Sequence, residues 1–373
     1  MARIDEERLV KQFTDLVTVD SETGKEAAIA SVLKKIFSDL NLEVTEDQAK
    51  EMTGHGANNL ICTFSGNRPG KTILFGVHMD TVTPGQSVKP SVKDGYLVSD
   101  GTTILGSDDK AGISALIEAI QVIQENQLPH ATIQFVITVG EESGLVGAKA
   151  LDTKLIQADY GFELDSDGPV GDIIIAAPNQ AKITAELFGK TAHAGISPEK
   201  GVSAITLAAK AIAKMPLGRI DEETTANIGR FEGGQATNIV CDYVRILAEA
   251  RSLNRSKMDQ QIKLMQDAFE TMARKMGGRA LVNTQIMYTG YRFAPEDPFV
   301  QLTADAIQTI GCKPRLLTTG GGSDANVFCG KGIPVLNLGV GYENIHTTKE
   351  RMPISELVKV SELVLAFVEQ AIR

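Results

Sequence analysis

His78 and Asp80 stand two apart at the end of the apolar run Thr72-Ile73-Leu74-Phe75-Gly76-Val77. An imidazole can ligate a metal ion, and a carboxylate at that spacing can fix the ring that does so. The same arrangement recurs along the chain. Asp108-Asp109-Lys110 follows Gly106-Ser107, and Glu141-Glu142 follows Val139-Gly140. Asp165 follows Phe162-Glu163-Leu164, and His346 closes Glu343-Asn344-Ile345. Ligands fed from several strand ends into one crevice are how an open α/β sheet builds a metal site.

The candidates His78, Asp108, Glu142, Asp165 and His346 comprise two imidazoles and three carboxylates. A catalytic zinc needs only about three protein ligands, so this set suits two ions if one carboxylate bridges. Each ion then has one His, one terminal carboxylate and a share of the bridge. Imidazole with carboxylate suits zinc, and equally manganese or cobalt. Asp80 is left to orient His78. Glu141 is left to face a metal-activated water as general base. Each group alone has a plainer reading. His-x-Asp can be a surface pair, Asp108-Asp109 a helix cap, Glu141-Glu142 a solvated pair, and Asp165-Ser166-Asp167-Gly168 a turn. Their joint occurrence at the ends of apolar runs is what argues for metal. His55 and His130 lie in loops without such context and read as surface residues. Gly320-Gly321-Gly322 lacks the Lys-Ser/Thr of a phosphate loop.

Composition agrees with an enzyme of small substrates. The 373 residues are 43% apolar, enough for a sizeable core in two domains or one interrupted domain. A net charge of −10 argues against nucleic acid and anionic membranes as partners. Cys62, Cys241, Cys312 and Cys329 are scattered, without a thiolate zinc or disulfide pattern. No stretch reads as a signal peptide or a membrane span, so a cytoplasmic protein is expected.

These residues need elements to position them. Leu9, Val10, Phe13, Leu16 and Val17 share one helical face. Thr23 and Glu26 have capping-box spacing and predict a second helix to about Leu40. Strands are expected near 42–45, 59–64, 72–77 and 132–139, with a helix over 112–124 between the last two. Such alternation predicts α/β architecture, a mostly parallel sheet flanked by helices. After about Pro178 the pattern becomes β-α-β-β-α-β, that of a ferredoxin-like α+β domain. From about Tyr291 the first style resumes. The expected organisation is a catalytic domain, 1–179 and 291–373, interrupted by an inserted domain, 180–290.

Three long motifs carry a resemblance. Gly76-Val77-His78-Met79-Asp80-Thr81-Val82, Asp100 to Gly112 and Thr138-Val139-Gly140-Glu141-Glu142-Ser143-Gly144 resemble those of the peptidase T group. That group is the aminotripeptidase branch of the di-zinc exopeptidase family that also holds aminoacylase and glutamate carboxypeptidase. The likeness spans essentially the whole chain. It implies metal ligation by His78, Asp108 as the bridge, Glu142, Asp165 and His346, and it selects Asp108 over Asp109. It implies Glu141 as base and Asp80 as the orienting carboxylate. It makes the insertion a lid that pairs subunits into a homodimer, with His193 steadying the oxyanion and Asn238 and Arg251 touching substrate. The implied activity is hydrolysis of short peptides from the N-terminus by a water activated by two metal ions. A dipeptidase and an N-acyl-amino-acid deacylase are the rivals within the family. A catalytically silent peptide-binding relative is the rival outside enzymology, and the intact base and ligand set argue against it. One departure stands out. The group's Arg that grips the peptide's C-terminal carboxylate is replaced by Gly320, which cannot make a bidentate clamp and implies a different length preference.

Overall fold

The protein, described here by a computed structural model, is defined for residues 3–372. The described residues divide into two compact units, 3–175 with 293–318 and 323–372, and 176–292 with 319–322.

The first unit is a helix-flanked sheet. Its central strands are Ile133–Thr138, Ile73–His78, Tyr160–Ser166 and Val335–Gly339, adjacent in that order and parallel to one another. Antiparallel strands flank them: Leu60–Phe64 and Glu43–Glu46 on one side, Asp172–Ala177 on the other. Ile73–His78 and Ile133–Thr138 are buried along their whole length, as expected of strands covered on both faces. Phe75, Phe135 and Phe162 meet Phe37 and Phe367 beneath the covering helices, the Phe162 and Phe367 rings stacking at 3.7 Å. Helix Ser107–Glu125 is itself core, buried along almost its whole length and packed against Ile354–Gln370. All the parallel strands point their carboxyl ends the same way. His78 ends one of them, Thr138 leads into Gly140-Glu141-Glu142, and Asp165 lies one residue from the end of a third.

The second unit has the ferredoxin-like order. Thr224–Gly233, Tyr243–Ser252, Asn179–Phe188 and Arg279–Tyr288 are neighbours in that sequence, all antiparallel. Helices Ala204–Ile212 and Arg255–Met276 bury Leu207, Met258, Met265 and Phe269 with Ile183 and Leu187 of the sheet. Asn254 caps the long helix through the amides of Ser256 and Lys257, and Gly277, at φ 74°, ends it.

Two local expectations fail. The Thr23–Glu26 capping box does not form. Glu26 is buried and turns its carboxylate to the amides of Gly24 and Gly56, each at 2.7 Å, while the Thr23 hydroxyl goes to Ser143. His130 is not a surface residue. It is buried and stacks on Phe64 with ring centroids 4.3 Å apart. A small sheet of Ser91–Lys93, Tyr96–Val98 and Arg351–Pro353 gave no periodic signal because its strands are three residues long.

Candidate metal centre

Asp108 sits between two histidines. Its Oδ1 is 2.9 Å from His78 Nε2 and its Oδ2 is 3.3 Å from His346 Nε2. Asp165 Oδ1 approaches the same nitrogen of His78 at 3.6 Å, and Glu142 Oε1 lies 3.0 Å from His346 Nε2. Three groups result, His78 with Asp108 and Asp165, Asp108 with Glu142 and His346, and His78 with Glu141 and Glu142, each with one donor atom per residue all within 4.8 Å of one another. Asp108 joins the first two. All five side chains that the sequence singled out as ligands therefore converge in the first unit.

The local backbone explains how Asp108 is free to do this. Asp108 and Asp109, joined by a cis peptide, have non-helical dihedrals at the start of helix Ser107–Glu125. Asp109 performs the capping, its Oδ1 accepting from the Gly112 amide at 3.0 Å, while Asp108 turns to the histidines. Asp80 does two things. The Nδ1–H of His78 donates to the Asp80 carbonyl at 3.1 Å, with the carboxylate 3.4 Å away. That carboxylate accepts from the amides of Glu141 at 3.0 Å and Glu142 at 3.3 Å. Asp80 thus fixes the tautomer of one candidate ligand and the turn bearing another. Tyr342 donates its hydroxyl to Asp165 Oδ1 at 3.1 Å.

The electrostatics are those of crowded carboxylates in a dry place. Burial raises Glu141 well above the usual range, helped by the charge of Asp165. Burial likewise brings Asp165 to about 6 and Asp324 to about 7. His346 is raised to about 10 by its hydrogen bonds to Asp108 and Glu142. Burial opposes a charge on His78, yet the hydrogen bonds of Asp108, Asp165 and Asp80 raise it well above its ordinary value. Negative charge exceeds local positive charge, and divalent cations held by His nitrogen and carboxylate oxygen relieve that imbalance. The donor set fits such ions.

Several supporting residues gave no sequence signal. Glu350 is buried, and its carboxylate accepts from the amides of Leu105, Gly106 and Ser107 at 2.8, 2.9 and 2.7 Å, from the Ser107 hydroxyl, and more weakly from the Asp108 amide. Lys110 is buried, with its Nζ on Ser21 Oγ and the Met79 carbonyl, and burial pulls its pKa down to about 8. Gly76 leaves room for the buried Glu163 carboxylate, since a Cβ there would lie 2.1 Å from Glu163 Oε2 and the carboxylate would have to shift. Glu350 and Lys110 are single charged residues whose partners are remote in sequence. His55, expected at the surface, is half-buried, with Nε2 2.8 Å from Ser143 Oγ.

The residues expected to touch substrate lie in the second unit. His193 is exposed and bridges to Ile239 in short β pairing, with the Ala194 amide donating to the Asn238 carbonyl at 2.9 Å. This pairing brings His193 and Asn238 together. Arg251 is engaged elsewhere. Its Nε and Nη2 are held by Glu249 at 2.9 and 3.2 Å, and its Nη1 donates to the Gly320 carbonyl at 3.1 Å.

Residues 74–370 match the model of peptidase family M20/M25/M40. The chain belongs to this family. It is a metallopeptidase of the M20 type, with the helix-flanked, centrally parallel sheet of its solved relatives. The crystal structure of aminopeptidase PepT from Bacillus cereus ATCC 10987 is 61% identical, with a TM-score of 0.94 over 99% of this chain and 100% of that one. A tripeptidase from Staphylococcus aureus subsp. aureus Mu50 is 49% identical, with a TM-score of 0.97 over 99% of both chains. The uncharacterized protein YqjE of Bacillus subtilis strain 168 is 60% identical over 368 residues, 99% of each chain. The resemblance drawn from the three motifs to a peptidase T-like protein is therefore correct. Among the described residues of this M20 peptidase, no helix is long and apolar enough to cross a membrane.

Proposed function

We propose that this M20 peptidase is an aminopeptidase that removes the N-terminal residue from short peptides, tripeptides among them, using two divalent metal ions per chain. The carrying observation is Asp108, whose two oxygens face the two histidines of two overlapping triads. The aminopeptidase and tripeptidase names of the two solved relatives support the substrate class. In this reading His78 and Asp165 would hold one ion, Glu142 and His346 the other, and Asp108 would contribute to both. Zinc is the ion proposed, with manganese or cobalt suited to the same donors. Bound there, the ions supply Lewis acidity, polarising a peptide carbonyl and acidifying water.

The chain's own residues do the rest. Glu141 takes the proton of the attacking water and returns it to the leaving amine. Its burial raises its pKa, which suits a group that must hold that proton between steps. Asp80 orients His78 and the Glu141-Glu142 turn. His193 donates to the developing oxyanion, and Asn238 and Arg251 meet the peptide. Arg251, resting on the carbonyl of Gly320, supplies the positive charge that Gly320 itself lacks. A single cation already engaged by Glu249 grips a C-terminal carboxylate less sharply than a free fork, so a broader length preference than that of a strict tripeptidase is proposed. The protein acts in the cytoplasm as a homodimer, with the second unit as lid and dimerisation surface.

Elemental analysis tests this reading. Protein purified without chelator should hold two ions per chain, and Asp108→Ala should lose both. Glu141→Ala should keep the metal and lose turnover by about 10²–10⁴-fold. Full metal occupancy in Asp108→Ala, or an active Glu141→Ala, would refute the assignment.

A further inference from the structure

The turn carrying Glu141 and Glu142 is gripped from two sides. On one, the Asp80 carboxylate takes the amides of both residues. On the other stands His55, which belongs to none of the three candidate ligand groups. Its Nε2 lies 2.8 Å from Ser143 Oγ, the next residue along the turn. The Ser143 hydroxyl donates to the Gly140 carbonyl at 3.1 Å, closing the turn on itself, and Thr23 Oγ1 donates to Ser143 Oγ at 3.2 Å. With the hydroxyl hydrogen used in that way, Ser143 Oγ receives the Nε2–H of His55.

The imidazole also lies directly on the backbone of the turn. Gly140 has φ +59°, and a Cβ there would stand 2.5 Å from His55 Nε2 and 2.5 Å from Val146 Cγ2. His55 is in turn fixed from behind. Helix Ala49–Thr53 ends at Gly54, whose amide donates to the Lys50 carbonyl at 2.9 Å. The His55 amide donates to Thr53 Oγ1, its Nδ1 stands 3.2 Å from the same oxygen, and the next amide, of Gly56, is anchored on buried Glu26. A ring bonded through Nε2, with the amides of His55 and Gly56 both anchored, is a rigid stop.

We infer that His55 is a positioning residue for this peptidase: through Ser143 it fixes the turn that aims Glu141. The inference rests on Glu141 being the base. The hydrogen-bond partners of His55 are Thr53 and Ser143, neither of them a candidate ligand. Its loss lets the turn pivot about Asp80 and misaims Glu141, while the Glu142 carboxylate keeps its place on His346 and the ligand set stays assembled. A misplacement of the base by a fraction of an ångström to about one ångström costs roughly tenfold or more in rate.

The test uses zinc-loaded full-length protein, an unblocked alanine tripeptide as probe, and four variants: His55→Ala, His55→Gln, Ser143→Ala and the His55→Ala/Ser143→Ala double. The expected result is a kcat lowered about tenfold in each Ala single variant, with KM, metal content and thermal midpoint at wild-type values. His55→Gln, whose side-chain amide can again donate to Ser143, should recover most of kcat. The double variant should be no worse than either single, because both break one link. A wild-type kcat in His55→Ala and Ser143→Ala overturns the inference, as do additive losses in the double variant, a loss carried by KM, or loss of metal. If His55→Ala does not fold, His55→Gln and Ser143→Ala still decide. Glu141→Ala is assayed alongside. If it remains active, the base assignment falls; if it is inactive while the His55 and Ser143 variants are normal, only the present inference falls.

Discussion

Glu350→Gln is the most discriminating perturbation of the scaffold behind the proposed bridge. Oε2 of Glu350 accepts from the Leu105 and Gly106 amides, and Oε1 accepts from the Ser107 amide, the Ser107 hydroxyl and the Asp108 amide. Gln has the same shape but only one acceptor oxygen. Whichever way its amide is turned, the NH2 group faces at least two N–H donors. The cheaper orientation gives up Leu105 and Gly106. Each hydrogen bond to a charged acceptor contributes about 1.5–3 kcal/mol, so the local cost is about 3–6 kcal/mol. Glu350 is 2% exposed, so water cannot easily substitute. At about 1.4 kcal/mol per power of ten, protection of these amides should fall by roughly 10²–10⁴. Native-state hydrogen exchange on metal-free protein measures this, with strand Ile133–Thr138 as the internal control. Loss confined to 105–108 is expected, followed by weaker metal retention through Asp108. Unchanged protection there would refute the claim that Glu350 holds the loop.

Gly76→Ala should lower stability by about 1–3 kcal/mol, because the added carbon meets Glu163 Oε2 at 2.1 Å; an unchanged thermal midpoint would contradict this. Arg251→Ala should lower kcat/KM on free tripeptides by one to about two powers of ten and spare C-terminally amidated ones, since only the former present a carboxylate. An equal loss on both series would remove Arg251 from carboxylate binding, and a Gly320→Arg variant that sharpens selectivity for free tripeptides would support the proposed substitution. Sedimentation velocity near neutral pH should show a dimer; a fully active monomer would sink the pairing through the second unit.

Much of the centre was legible because strand ends are legible. A run such as Ile133 to Thr138, buried on both faces, has no polar residues to spare, so the first charged groups beyond it stand out. Chain order and the three motifs then named His78, Glu142, Asp165 and His346. Asp108 and Asp109 could not be separated by residue type or spacing; their backbone dihedrals send one to Gly112 and the other to the histidines. The capping box failed for a related reason. Glu26 had a local use available, but folding brought the Gly56 amide to 2.7 Å, and a buried carboxylate is better satisfied by two amides than by a cap.

The sequence by itself determined the element pattern, the class of sheet, and the types and order of the candidate ligands. These follow from periodicity and from chemistry that each residue carries wherever it stands. The tertiary structure alone decided the residues that act by being near something distant in the chain. Glu350 reaches back more than 240 residues to hold the loop before Asp108, and His55 reaches 88 forward to Ser143. His130, in a loop after proline, is drawn under Phe64. A lone Glu or His carries no periodic signature, and its worth depends on which unpaired donors folding places beside it. That depends on the packing of whole elements, which local sequence does not encode one residue at a time.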